Sequence, residues 1–297
     1  MVIDENGRAH DGRGQYAIQN KANTPVVFDE PDTYDFGEGA VPAHRHSNGG
    51  GWVADTARVE DTAFVENGSV VSNDAKVLEE ARVCGSSVIS DNATVSGASL
   101  INNASVSGKA EVSGHAMIDN GAVISGFARV VQQAFVSGRV DVHGRALVAG
   151  KAQVLDRATV AGQARILDMA VVSGEARIDG AARVLNEAIA TGAAVVTGNA
   201  MLLDSASISG SASMFGSSIA QHEASIADAA VLDNNAIVSH SAHIGNLALV
   251  DGHARVGGEV RIGSNVAITD NACVVGAGKI VETNTKIGGD TFLDLEQ

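Results

Sequence analysis

The chain has 297 residues, with 34 Gly, only 3 Pro, 3% aromatic residues and a formal net charge of −15. An interior so poor in large side chains has to be narrow enough for Ala and Val to fill, which argues against a broad aromatic-rich globular core. The acidic balance argues against a phosphate-neutralising surface for direct nucleic-acid binding, and no 18-residue apolar run is present to span a membrane.

In chain order, the first segment is irregular. The opening residues MVIDENGRAH have no apolar h-region, so no signal peptide is expected. A cytoplasmic location is expected, and a virion-associated one is compatible. Residues 1–51 hold Tyr16, Pro25, Phe28, Pro31, Tyr34, Phe36 and Pro42. They are expected to form an N-terminal cap, because a solenoid leaves unpaired backbone at its ends. His44 and His46 alternate beside the run Gly49–Gly51. An alternating His pair is a weak metal-site signal, and a cap loop is the competing explanation.

From residue 52 a six-residue period takes over. Small residues fall at 57, 63, 69, 75, 81, 87 and 93; after one five-residue step they resume at Ala98 and Ala104 and recur every six residues to Ala272. They are Ala except at Val140, Ser218, Val260 and Val266 in that second run. Two places after each comes Val, Ile or Leu, broken only at Ala190, Met214 and Ala220. Period-two alternation within a hexad, as in Ala128-Arg129-Val130, makes a short strand with Ala and Val inward and Arg129 outward. Gly, Asn or Asp recurs at the close of the hexad, where the chain turns and positive φ is needed. Three corners close a triangle of about 18 residues, giving about 12 coils stacked at roughly 4.8 Å. The five-residue step, expected near 95–98, marks a tightened corner or a small offset between two rods. The solenoid is expected over 52–287. A second slip separates Ile280 from Ile287, and 288–297 are expected as a C-terminal cap using Phe292, Leu293 and Leu295.

The run aliphatic–Gly–x–x–small–x over residues 57 to about 287 resembles the hexapeptide repeat of left-handed β-helices. The fold class implied is all-β, a single-stranded left-handed parallel β-helix. The head stretches GRGQYAIQNK and NGGGWVADTARVEDTAFV are similar to the head of the YdcK-like hexapeptide proteins of bacterial and prophage genomes. Gly50, Gly51, Trp52 and Val53 match the Gly-Gly-Trp step there, whereas PAHRHS departs from it. That resemblance implies a phage or prophage connection and the acyltransferase label such proteins carry by fold analogy, with CoA or acyl-CoA as the cofactor of that chemistry; fold analogy is a weak warrant. Otherwise no cofactor is expected.

Outward positions sort into columns whose members lie one coil apart. One corner column reads Val131, Ala149, Leu167, Leu185 and Leu203; the neighbouring face column reads Met117, Phe135, Gln153, Val171 and Ile189. Apart from Gln153, these aligned columns are an expected exposed apolar side, larger than monomers tolerate. Self-association through that side follows, with a trimer favoured over a dimer.

Candidate chemistry is sparse. His222 and His240 stand one coil apart, above Asp204 on one corner, with His243 on the next face. Asp204, His222 and His240 are a weak metal column, and His222, His240 and His243 are fallback catalytic bases. Such residues also serve as turn formers. Cys84 and Cys273 are too far apart to pair within one chain. The sequence therefore points to a non-enzymatic structural or protein-interaction solenoid with an unidentified protein partner. A CoA-dependent acyltransferase with sites between protomers is the alternative, and an acidic mimic of nucleic acid the third reading.

Overall fold

The computed structural model describes residues 2–3, 9–10, 32–263, 265–280 and 284–295. The chain divides into two compact units, 1–44 and 45–297. In the first, Val2–Ile3 pairs antiparallel with Ala9–His10, and Thr33–Asp35 pairs antiparallel with the strand that begins at Ala40. Asp35 closes that hairpin by accepting the N–H groups of Gly37 and Gly39. The rings of Tyr34 and Phe36 meet edge to face at 4.9 Å. Tyr16, Pro25, Phe28 and Pro31 lie outside the described residues.

The second unit is an all-β parallel solenoid of about 13 turns, with no helix among its described residues. Its first face starts at Trp52–Ala54, its second at Arg58–Val59 and its third at Phe64–Val65. Each face is one sheet, and each strand pairs with the strand one coil away. Arg129 sits between Glu111 and Leu147, for example, and its N–H donates to the Ala146 carbonyl. The reason is the hexad. Ala128 and Val130 are fully buried and Arg129 is exposed, and an axis lined by Ala and mid-sized aliphatic residues closes without aromatic side chains. Met214, Ala190 and Ala220, the exceptions to the aliphatic rule, are also fully buried. At the corners, Asn120, Asp156, Asp168, Asn186 and Asp204 have φ between 57° and 64°, the left-handed conformation that Asn and Asp tolerate best after Gly.

The shortened step is not where the small residues first suggested. Ala98 is exposed and Ser99 fully buried. Leu100 pairs with Arg82 on the preceding coil, a regular winding, but with Met117 on the following one, a winding one residue shorter. The five-residue step therefore runs from Ser99 to Ala104, not from Val95 toward Ala98. Residues 98 and 99 are both small and 100 and 101 both aliphatic, so the pattern allows either register. Keeping Ile101 inward stacks it on Val83 and Ile118. The Ser99 hydroxyl donates to the Ser96 carbonyl at 2.8 Å, so burying it leaves no orphan. The tight corner is knit by Asn103, whose Oδ1 accepts the Ser86 N–H, and by Ser87, whose Oγ accepts the Ala104 N–H.

Toward the other end the second slip stands as expected. Ile262 pairs with Ile280 in a regular winding, whereas Ile268 pairs with Ile287, one residue farther on. The coil then continues past residue 287. Phe292–Asp294 is a further strand of the second face, paired with Cys273–Val275, so residues 292–294 belong to the solenoid and not to a separate tail. Leu293 and Leu295 pack on the end of the core, while Phe292 points outward, 67% exposed.

The start of the third face is closed by residues 46–51, within the solenoid unit. The Asn48 carbonyl accepts the Val65 N–H, and the Gly51 N–H donates to the Val65 carbonyl. This contact explains the glycine run. A Cβ on Gly49 would lie 2.3 Å from the Val65 oxygen, and one on Gly51 2.5 Å from Val65 Cγ1. Arg45 locks the same loop. Its guanidinium donates to the Gly50 carbonyl and Asn67 Oδ1 at 2.8 Å each, and lies 4.2 Å from the Trp52 ring centre.

Candidate functional site

The corner between the second and third faces carries both candidate sites. Along one coil, Arg183, Leu185, Glu187 and Ile189 project outward in turn around this corner, because Ala182, Val184, Ala188 and Ala190 take the inward places. Over the middle coils the corner is an apolar ridge. Its third-face flank stacks Met117, Phe135, Gln153, Val171 and Ile189 on successive strands, as their one-coil spacing requires. Met117 and Ile189 are 44% and 41% exposed; Phe135, Val171, Val131, Leu167, Leu185 and Leu203 are half-buried, and Ala149 is buried. Met169, between Leu167 and Val171, adds an exposed apolar side chain. The band also continues on the second face, where Met201, Ile219 and Ile237 stack on consecutive strands. Their column also carries Arg129, Arg165 and Arg183 on the preceding coils, and the paired register shows the three apolar residues running on from the ridge.

Farther along the same corner the ridge becomes polar. His222 and His240 occupy left-handed corner positions with φ of 61° and 60°. Asp204 Oδ2 accepts the His222 N–H at 3.0 Å, and His222 Nδ1 receives the His240 N–H at 3.4 Å. The rings stack at 5.0 Å between centres, tilted by 30°. Their role matches that of other corner residues. Asp156 accepts from Gly174, Asp168 from Asn186, Asp228 from Asn246 and Gln132 from Gly150 in the same way. Asp204 and His222 thus serve as clasps between coils. His243 stands apart on the third face, between Ser225 and Arg261.

Past His240 the clasp ends at Gly257 and Gly258, and an open groove of about 700 Å³ follows. Gly257, Gly258 and Gly276 line it together with Ser239, His240, Arg255, Glu259, Cys273 and Asp294. The hydroxyl of Ser239 is 3.1 Å from His240 Nδ1. Sequence reasoning missed this groove, because missing side chains make it.

The remaining candidates lie elsewhere. His46 is buried and its Nε2 lies 3.0 Å from the Ala63 carbonyl oxygen, a structural contact in the cap loop. His44 is exposed on the strand Ala40–Arg45. No group of three or more His, Cys, Asp or Glu among the described residues is arranged to hold a metal ion. Cys84 and Cys273 are both free thiols. Burial pushes the Cys84 thiol up from its ordinary range, and the Glu66 carboxylate adds to the shift.

Three carboxyls titrate low for a local reason. Glu60 accepts the Glu79 N–H, Asp270 the Gly289 N–H and Asp179 the Gly180 N–H; each of these backbone contacts favours the ionised form. Arg58 and Arg177 pair with Glu60 and Asp179 respectively and reinforce it. Much of the acidity thus has a structural role at corners. No helix among the described residues is long and apolar enough to cross a membrane. No family model matches the chain, and no curated protein matches it.

Proposed function

We propose that the chain is a non-enzymatic structural or protein-interaction solenoid that self-associates through the apolar ridge, as a trimer in preference to a dimer. One observation carries this reading. Aligned apolar side chains cover the corner, its third-face flank from Met117 to Ile189 apart from Gln153, and then its second-face flank from Met201 to Ile237, more than scattered surface aliphatics would give. The uninterrupted ladder supports it too, because strands follow one another from Phe64 to Ile262 with no loop extruded to build a pocket. The coils are taken as left-handed and of the hexapeptide kind, with a prophage connection, on the strength of the repeat and of Gly50–Val53.

The solution mass tests this reading. A Leu185→Glu substitution is expected to give monomers where the wild-type protein is oligomeric. A monomeric wild type at micromolar concentration would refute it. The acyltransferase alternative draws its support from His240 at the edge of the groove. It requires CoA to raise the melting temperature and His240→Ala to abolish that rise; a flat response to CoA eliminates it.

A further inference from the structure

The ridge carries charge in an uneven way. On its second-face flank Arg165 and Arg183 are direct neighbours on adjacent strands, both exposed. Like charges placed opposite each other in a sheet are destabilising, and this chain has acidic residues in excess. Yet neither arginine is in an ion pair among the described residues. On the third-face side of the corner, Glu187 is exposed and also without an ion pair among them. Leu185 lies between Arg183 and Glu187 on the same coil.

Resting on the self-association proposed above, we infer that the occupant of the ridge is a second copy of this chain running parallel and in register, with Arg183 of one protomer facing Glu187 of the next. Symmetry decides the direction. If two protomers meet antiparallel about a two-fold axis at the height of this pair, second face lies on second face, and the Arg165–Arg183 pair is driven toward its own copy. If they run parallel, in a two-fold pair or a three-fold ring, the second-face flank of one meets the third-face flank of the other at the same height. Arg183 then meets Glu187, Arg165 lays its stem along Met169, and Leu147 meets the aliphatic part of Lys151; no like charges oppose. Arginine suits such a seam, since it covers apolar surface with its stem and binds carboxylate with its fork. An arginine on one side of Leu185 and a carboxylate on the other make the ridge complementary to itself at this height.

A charge-swap cycle measured by sedimentation equilibrium tests the seam, with thermal melts confirming that each variant is folded. Arg183→Glu alone and Glu187→Arg alone are each expected to weaken association about tenfold, and the double variant to recover to within about threefold of wild type. Losses that simply add in the double variant overturn the in-register seam, even while Leu185→Glu still yields monomers. If Leu185→Glu leaves the mass unchanged, the ridge itself is not the interface and both readings fail.

Discussion

At the scale of the residue, one side-chain device recurs through the solenoid. A corner Asp or Glu reaches along the axis and accepts the N–H of a corner residue in the next coil, as Asp168 does for Asn186 and Glu79 for Gly97. Asp at these places is thus chosen twice, for left-handed backbone and for an acceptor at the right height. Asp168→Asn keeps both properties in part, whereas Asp168→Ala loses the acceptor and strains the backbone. The alanine variant is expected to lose about 1–2 kcal/mol in a denaturant melt and the asparagine variant less than half as much. Contacts of this kind, between coils at Glu60 and Asp270 and within a corner at Asp179, set an acid limit. Glu60, Asp179 and Asp270 have folded pKa values below their unfolded ones. Their contribution is complete above the unfolded values near 4 and disappears as pH falls through the lower folded values. Melting temperature should therefore be level above about pH 5 and decline below about pH 4. Cys84 gives a third check. With its thiol pushed up by burial, it should react with a thiol reagent at about pH 7.5 several-fold more slowly than a free cysteine.

The strand-and-corner element shows what the sequence reveals and what it conceals. Its ladder is legible because inward places take small residues alternating with mid-sized aliphatic ones, with Met214 the one departure in kind, so the hexad is written out from Ala104 to Val274. The slip is ambiguous because Ala98-Ser99 and Leu100-Ile101 offer two acceptable registers, and the choice is made by stacking and by the Ser99 hydroxyl bond. The histidines were visible as corner residues, but their clasp to the neighbouring coil depends on a side-chain direction that spacing does not supply. The groove beyond His240 is hard to read, since Gly258 and Gly276 resemble every other corner glycine and Gly257 alone stands in an outward column that elsewhere carries side chains such as Leu203 and Ser239. Tightness inside the element has its own test. Ala176 has no exposed surface, so Ala176→Leu overfills the axis and should cost about 1–3 kcal/mol. Glu175→Leu, one position away and exposed, should leave the melt nearly unchanged.

For the whole molecule, the two ends of the solenoid are finished differently. The loop 46–51 covers the first strand of the third face by backbone pairing, locked by Arg45, whereas the last strands, Lys286–Ile287 and Phe292–Asp294, are the outermost rungs among the described residues. Gly49→Val would drive a side chain into the Val65 carbonyl and unseat that loop. Early unfolding of the strand Phe64–Val65 should follow, seen as faster amide exchange at Val65 with the middle coils unaffected.

The regular spacing of partners has a last consequence. Between Ala104 and Ile262, every strand finds its equivalent one full winding away, always by the same count along the chain. Misaligned copying of the coding sequence that drops or adds one complete winding therefore restores all hydrogen bonds and returns every outward column to its place. A change that is not a whole number of windings shifts the outward columns unless a corner absorbs it, as the corners before Ser105 and Lys286 do. Rod length is thus a dial with fixed stops, and lineages carrying this chain can alter their reach in single clicks.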